Sequence, residues 1–112
     1  MKPSDFLVHA GRLVGYYPLV AKAVGGAKAG ILLCQLLYHY QETNQKEISI
    51  ELEELEEETG LTTKELRGAR QALKYNKVLT ERHARLEHIL YFSVTFSRID
   101  ELVEGYFWDN FT

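Results

Sequence analysis

Between Ser49 and Leu79 the apolar positions follow one helical spacing, break, and resume on another. Leu52 and Leu55 lie three apart in a run otherwise made almost entirely of glutamate, which predicts a short helix over 50–59 with one narrow buried edge. Gly60 supplies a residue able to take positive φ at the break, and Leu61 is placed to bury in the corner. Thr62 and Glu65 then form a T-x-x-E capping box that opens a second helix over 63–75. Leu66, Ala69 and Leu73 recur at i, i+3 and i+7, a single inward stripe. Asn76 is expected to close this helix in the left-handed conformation, and Val78-Leu79 to begin a strand.

Upstream, Pro18 suits the first position of a short helix ended by Gly25-Gly26. Residues 27–41 read as a longer, mostly buried scaffold helix, with Ile31, Leu32, Leu33, Leu36, Leu37 and Tyr40 around much of its circumference. Ala27, Ala29 and Gly30 leave one end slim, so that another element can approach closely. Glu47 to Ile50 permit a very short strand, and Ser49 a helix N-cap. Downstream, Leu90, Phe92, Val94 and Phe96 alternate with Ile89, Tyr91, Ser93 and Thr95, the period of a strand with one buried face. The turn near His83–Leu86 has no Asn-Gly or Gly pair, which predicts a hairpin loop longer than two residues. Ser97-x-x-Asp100 reads as a second capping box. It precedes an amphipathic helix carrying Ile99, Leu102, Val103, Tyr106 and Phe107, whose tail keeps Trp108 and Phe111. Residues 1–15 are open: Asp5–Val8 fits either a short strand or one helical turn.

The chain has 112 residues, one domain's worth, and 46% of them are hydrophobic, enough for a core. A single cysteine excludes an internal disulfide and suits a reducing cytoplasm. No stretch is apolar for the roughly 18 residues a membrane span needs, and the N-terminus lacks a signal-peptide pattern. The net charge of −3 is sharply segregated. Residues 41–60 carry eight acidic and one basic side chain, whereas residues 61–88 carry seven basic and three acidic. A chain so arranged can be acidic overall and still present one positive face.

That positive face falls on the second helix of the 49–76 unit. With Leu66, Ala69 and Leu73 inward, Lys64, Arg67, Gly68 and Gln71 point outward and Arg70, Lys74 and Lys77 flank them. Arg and Lys can bond guanine edges or phosphates, and Gln can bond adenine. Gly68 is disfavoured inside a helix by roughly 1 kcal/mol against Ala, and lets another surface come close. The unit is therefore a helix-turn-helix pattern with helix 63–75 placed to enter the major groove. Thr62, Thr63, Arg70 and Lys74 are expected to position it on the backbone. Arg82, His83 and Arg85, near His88 at the hairpin tip, are expected to touch phosphates or the minor groove. The glutamates of helix 50–59 are either a solvated face, a surface that repels DNA and so points away from it, or a docking site for a basic protein.

Two stretches, YYPLVAKAVGGAKAGILLCQLLYHY and ELEELEEETGLTTKELRGARQALKYNKVL, resemble the winged helix-turn-helix proteins that bacteriophages, plasmids and other mobile elements use in replication and gene control. The resemblance covers about residues 16–100. It departs at Asn76, where a Gly is usual, and in the short loop before the acidic helix. It implies an α+β, mainly α fold: an N-terminal arm (1–15), scaffold helices (16–46), the helix-turn-helix (49–76), a wing hairpin in a small antiparallel sheet (77–96), and a C-terminal helix and tail (97–112). It also implies double-stranded DNA binding in the host cytoplasm, in replication or transcription control. The slim Ala/Gly helix end and the aromatic tail suggest a homodimer. The alternative is a protein-interaction module using the acidic helix. No cofactor is expected. Gly25-Gly26 lacks a following Gly-Lys-Ser/Thr, Cys34 and His39 do not share a helical face, and no set of side chains marks a catalytic or metal site.

Overall fold

The computed structural model describes residues 15–111 apart from 44, 85, 87 and 88. The expected N-terminal arm, Arg85 and His88 lie outside the described residues. Helices α1 (Pro18–Val24), α2 (Ala27–Thr43), α3 (Leu52–Thr59), α4 (Thr63–Tyr75) and α5 (Phe96–Phe111) accompany strands β1 (Ile48–Ser49), β2 (Leu79–Ala84) and β3 (Ile89–Val94). The fold is α+β and mainly helical.

α2 is the element the others cover. Leu32, Leu33 and Leu36 are fully buried on it, and α1, α3, α4 and β1 all pack against it. Pro18 starts α1 at its first helical turn, and Gly25 and Gly26 end it at φ 130° and 116°. The chain then reverses so tightly that α1 lies across the slim end of α2. A Cβ on Gly30 would sit 2.8 Å from the Ala21 Cα. The close approach expected of the Ala/Gly end is thus made by α1 of the same chain.

The sheet is antiparallel in the order β1-β3-β2, with Ile48 and Glu81 both opposite Phe92. Phe92 is buried beneath it, and Leu90 and Val94 pack at the edge of the same core. Tyr40 joins α2 to this sheet. Its hydroxyl accepts the Val94 N–H at 2.9 Å and lies within donating reach of the Lys46 (2.8 Å) and Phe92 (3.1 Å) carbonyls. Ala84 pairs with Ile89, so four residues connect the strands, in keeping with the longer loop expected there.

The helical unit forms largely as its local signals require. Gly60 is left-handed at φ 75°, Leu61 is buried, and Thr62 and Glu65 close a reciprocal capping box at 3.1 Å in each direction. Leu66, Ala69 and Leu73 all enter the core.

Four local expectations are corrected. Asn76 is not left-handed: its φ is −82°, and the positive φ falls on Lys77 at 63°. The Asn76 amide donates instead to the Val24 and Ala72 carbonyls, both at 3.0 Å, while its own carbonyl accepts from Arg98 Nε at 2.9 Å. These bonds hold Asn76 in place, and the turn completes one residue later. Lys77 N–H bonds the Lys74 carbonyl (3.0 Å) and Val78 N–H the Leu73 carbonyl (2.9 Å), a Schellman motif with Lys77 at C′. Second, α5 begins at Phe96, so Ser97 and Asp100 lie inside it and form no capping box. The Thr95 N–H is bonded to the Val78 carbonyl (2.8 Å) and the chain turns at once. Third, Phe96 therefore leaves the strand and sets its ring edge-on to Tyr40. Fourth, Ser49 pairs with Tyr91 in β1, and Glu51 occupies the N-cap of α3 without a side-chain hydrogen bond.

Lysine in the left-handed region carries a steric cost that glycine does not. Lys77→Gly should therefore stabilise the protein by about 0.5–1 kcal/mol, read from urea unfolding midpoints at unchanged slope. A destabilised variant would show that Lys77 makes a compensating contact.

Candidate nucleic-acid interface

α4 presents two opposed sides. The inward side is the buried Leu66/Ala69/Leu73 stripe. At 100° per residue the opposite side carries Lys64, Gly68, Gln71 and Tyr75, with Arg67 and Thr63 beside it, and all six are exposed. A Cβ added at Gly68 would meet nothing within 4 Å. Tyr75 was missed as a member of this strip. It is 86% exposed and continues the spacing at i+4 from Gln71 and i+7 from Gly68, a signal present in the sequence. Its ring and hydroxyl suit stacking on, or bonding to, a sugar-phosphate chain.

The expected cations separate into two groups. Among the described residues Lys64 and Arg67 enter no ion pair. Of the flanking ones Arg70 and Lys74 do, whereas Lys77 is exposed and enters none among the described residues. Arg70 gives Nε and Nη2 to the two carboxylate oxygens of Glu81 at 2.7 and 3.0 Å, and Lys74 Nζ reaches the same carboxylate at 2.8 Å. Lys28, from the start of α2, meets Glu65 at 3.0 Å. Arg82 on β2 forks onto Glu47 at 3.0 and 3.1 Å, its guanidinium 4.3 Å from the Tyr91 ring centre. Thr62 lies exposed at the head of α4 with its hydroxyl oxygen engaged in the cap. His83 is exposed on β2 and lines an open groove of about 870 Å³ with Glu51, Glu53 and Glu54 of the acidic segment.

The three carboxylates that hold these cations are all shifted. Burial pushes the Glu81 carboxyl up, but the hydrogen bonds from Arg70 and Lys74 outweigh it and hold it below its ordinary value. Glu65 is lowered by the Thr62 backbone N–H and then by Lys28, and Glu47 by the Arg82 guanidinium.

α3 is different. Glu53, Glu54 and Glu57 are exposed and enter no ion pair among the described residues. The helix is tied to α2 at its far end, where His39 Nε2 lies 2.7 Å from Glu58 Oε1. Glu53 and Glu56 border a small cleft together with Thr63 and Arg67, so this edge of α3 adjoins the α4 strip instead of facing away from it.

No group of three His, Cys, Asp or Glu side chains among the described residues can hold a metal ion. No single described helix is long and apolar enough to cross a membrane. α1 and α2 pass that test only jointly, across a 109° bend. No family model matches this chain, and no curated protein or solved structure matches it either.

Glu81 bears on stability through acid. A carboxylate whose folded pKa is depressed stabilises the fold above its unfolded pKa, and that contribution disappears as pH falls through the folded value. Wild-type stability should therefore decline as pH drops below the ordinary 4.5, and Glu81→Gln should flatten that decline. Identical slopes in chemical unfolding across this window would contradict the role given to the Arg70–Glu81–Lys74 cluster.

Proposed function

We propose that this protein is a winged helix-turn-helix protein that binds double-stranded DNA, with helix 63–75 in the major groove. The observation that carries the reading is the α4 strip: Lys64, Arg67, Gly68, Gln71 and Tyr75 exposed together, its two cations in no ion pair among the described residues, opposite a fully buried stripe. The order helix, strand, helix, tight turn, helix, hairpin, with the first strand beside the last, supports the reading, in which the hairpin is a wing following a recognition helix. Lys64, Arg67 and Gln71 read base edges. Thr62 and Thr63 bond the backbone at the helix start, and His83 and the hairpin approach the neighbouring phosphates or minor groove. The role is replication or transcription control in a phage or other mobile element, inside the host cytoplasm, as the resemblance of residues 16–100 implies.

Pairing of two copies suits this reading, since one such domain reads few base pairs. α1 covers the slim end of α2, so the argument for a dimer rests on the aromatic layer. No α5 side chain reaches full burial among those described. Tyr17 on the approach to α1 is 73% exposed, and Trp108 on α5 is 58% exposed. Light scattering at tens of micromolar should give twice the chain mass, and a monomer there would remove the dimer from the proposal.

A second reading, a protein-interaction module, is favoured by Glu53, Glu54 and Glu57 of α3, exposed and in no ion pair among the described residues. The two separate by salt. Fluorescence anisotropy with mixed-sequence duplex should give an affinity that falls steeply with ionic strength and is lost in the Lys64→Ala/Arg67→Ala double variant. In the same assay Gly68→Ala should bind more weakly although it folds more stably by about 1 kcal/mol, because its added methyl meets the groove and nothing in the protein. Absence of binding by wild type at about 50 mM salt would move the function to the acidic face.

A further inference from the structure

Building on the DNA-binding reading, the geometry points to Glu81 as a selectivity-determining residue that withholds Arg70 and Lys74 from phosphates. The positive charge that the flank of α4 offers to nucleic acid is thereby reduced, and the base-reading strip keeps a larger share of it.

Glu81 sits on β2 beneath the flank of α4, with its side chain only 10% exposed. It takes three charge-assisted hydrogen bonds, two from Arg70 and one from Lys74. Arg70 presents Nε and Nη2 to it, the edge with which a guanidinium would grip a phosphate in bidentate fashion. One edge cannot serve both anions. For a phosphate to capture it, Glu81 would have to be left unpaired in a poorly hydrated place, which is the costly way to break a partly buried ion pair. The Glu81 carboxylate therefore outcompetes a passing phosphate.

The two neighbouring pairs behave differently. Lys28 and Glu65 have side chains 59% and 34% exposed, and Arg82 and Glu47 have 55% and 39%. Such pairs are screened and weak, and they exchange with phosphate at little cost. Of the carboxylates around the strip, Glu81 is the one placed to hold its cations against DNA.

The consequence concerns selectivity more than affinity. Non-specific binding scales with the number of phosphates neutralised. Removing two flanking cations from that count lowers affinity for every sequence alike, and leaves Lys64, Arg67 and Gln71 a larger share of the total. The negative edge that Glu53 and Glu56 give to the cleft beside Arg67 acts in the same direction.

The test is a double-mutant cycle of Glu81→Gln and Lys74→Ala on random-sequence duplex, read by anisotropy over a series of salt concentrations. In the wild-type background Lys74→Ala should change affinity by less than about twofold, because the lysine is already engaged. Glu81→Gln should raise random-duplex affinity severalfold and steepen the slope of log K against log salt by about 1–2. Lys74→Ala in that background should then remove a large part of the gain. Glu81→Asp, which keeps the charge, should stay near wild type. A tenfold loss from Lys74→Ala alone overturns the proposal, and so does a folded Glu81→Gln variant with unchanged affinity and slope. The lysine arm stands even if Glu81→Gln does not fold, since Lys74 is 42% exposed and outside the core. If wild type does not bind duplex at all, the DNA reading fails on its own account. The withholding is then read on heparin, from which Glu81→Gln should elute at higher salt than wild type; co-elution refutes it.

Discussion

α2 has to be covered along its broad apolar face. Leu32, Leu33 and Leu36 cannot face water, and a helix of that kind persists only where other elements pack against it. Burial of each such side chain is worth about 1.5–3 kcal/mol, far more than the helix propensity of its sequence. Covering it fixes the remaining geometry. α1 closes one end where Gly30 lets two backbones meet, α3 and β1 close another, and α4 lays its Leu66/Ala69/Leu73 stripe along the length. Once that stripe is docked, the direction of Lys64, Arg67, Gln71 and Tyr75 is no longer adjustable. The outward strip follows from the inward one.

What was legible in the sequence was what depends on neighbours in the chain. The T-x-x-E box, the glycine break and the 3.6-residue stripe of α4 need only residues a few positions apart, and they appear where their spacing puts them. The α+β class and the alternation of β3 through Val94 are of the same kind. The misreadings have long-range causes. Asn76 looks like a left-handed cap until its amide finds the Val24 carbonyl 52 positions away. Ser97-x-x-Asp100 matches a capping box, but the helix start is decided by where β3 stops pairing, and the Thr95–Val78 bond moves it upstream. The candidate site divides along the same line. Periodicity places Lys64, Arg67 and Gln71 outward. It does not reveal that Arg70 and Lys74 face Glu81, because that depends on how β2 lies against α4.

Charge tells a related story. The basic and acidic blocks are contiguous in sequence, which suggests a plain positive face and a plain negative one. In three dimensions the basic block is partly neutralised by single carboxylates drawn from other elements: Glu81 from β2, and Glu47 from the segment before β1. The exposed glutamates at the outer edge of α3 receive no such partner among the described residues. The surface is therefore finer-grained than the sequence, with the Lys64/Arg67 strip bordered by the paired Arg70 and Lys74.

Of the three glycines inside described helices, Gly30 and Gly68 make the sharpest contrast, while Gly105 in α5, like Gly68, has nothing within 4 Å of its missing methyl. Each carries the same local penalty, about 1 kcal/mol against alanine. At Gly30 the structure holds the compensation, since a methyl there would collide with Ala21 and the α1–α2 contact would open. At Gly68 nothing in the described chain approaches within 4 Å of the missing methyl. A helix interior has no need of glycine for its own sake, and the turn of α4 around Gly68 is otherwise well formed. If Gly68 serves close packing as Gly30 does, the surface that packs there comes from outside the chain. Its neighbours on the strip, two cations in no ion pair among the described residues, an amide and an exposed phenol, are of the kinds that the proposed DNA contact would need against the wall and floor of a groove.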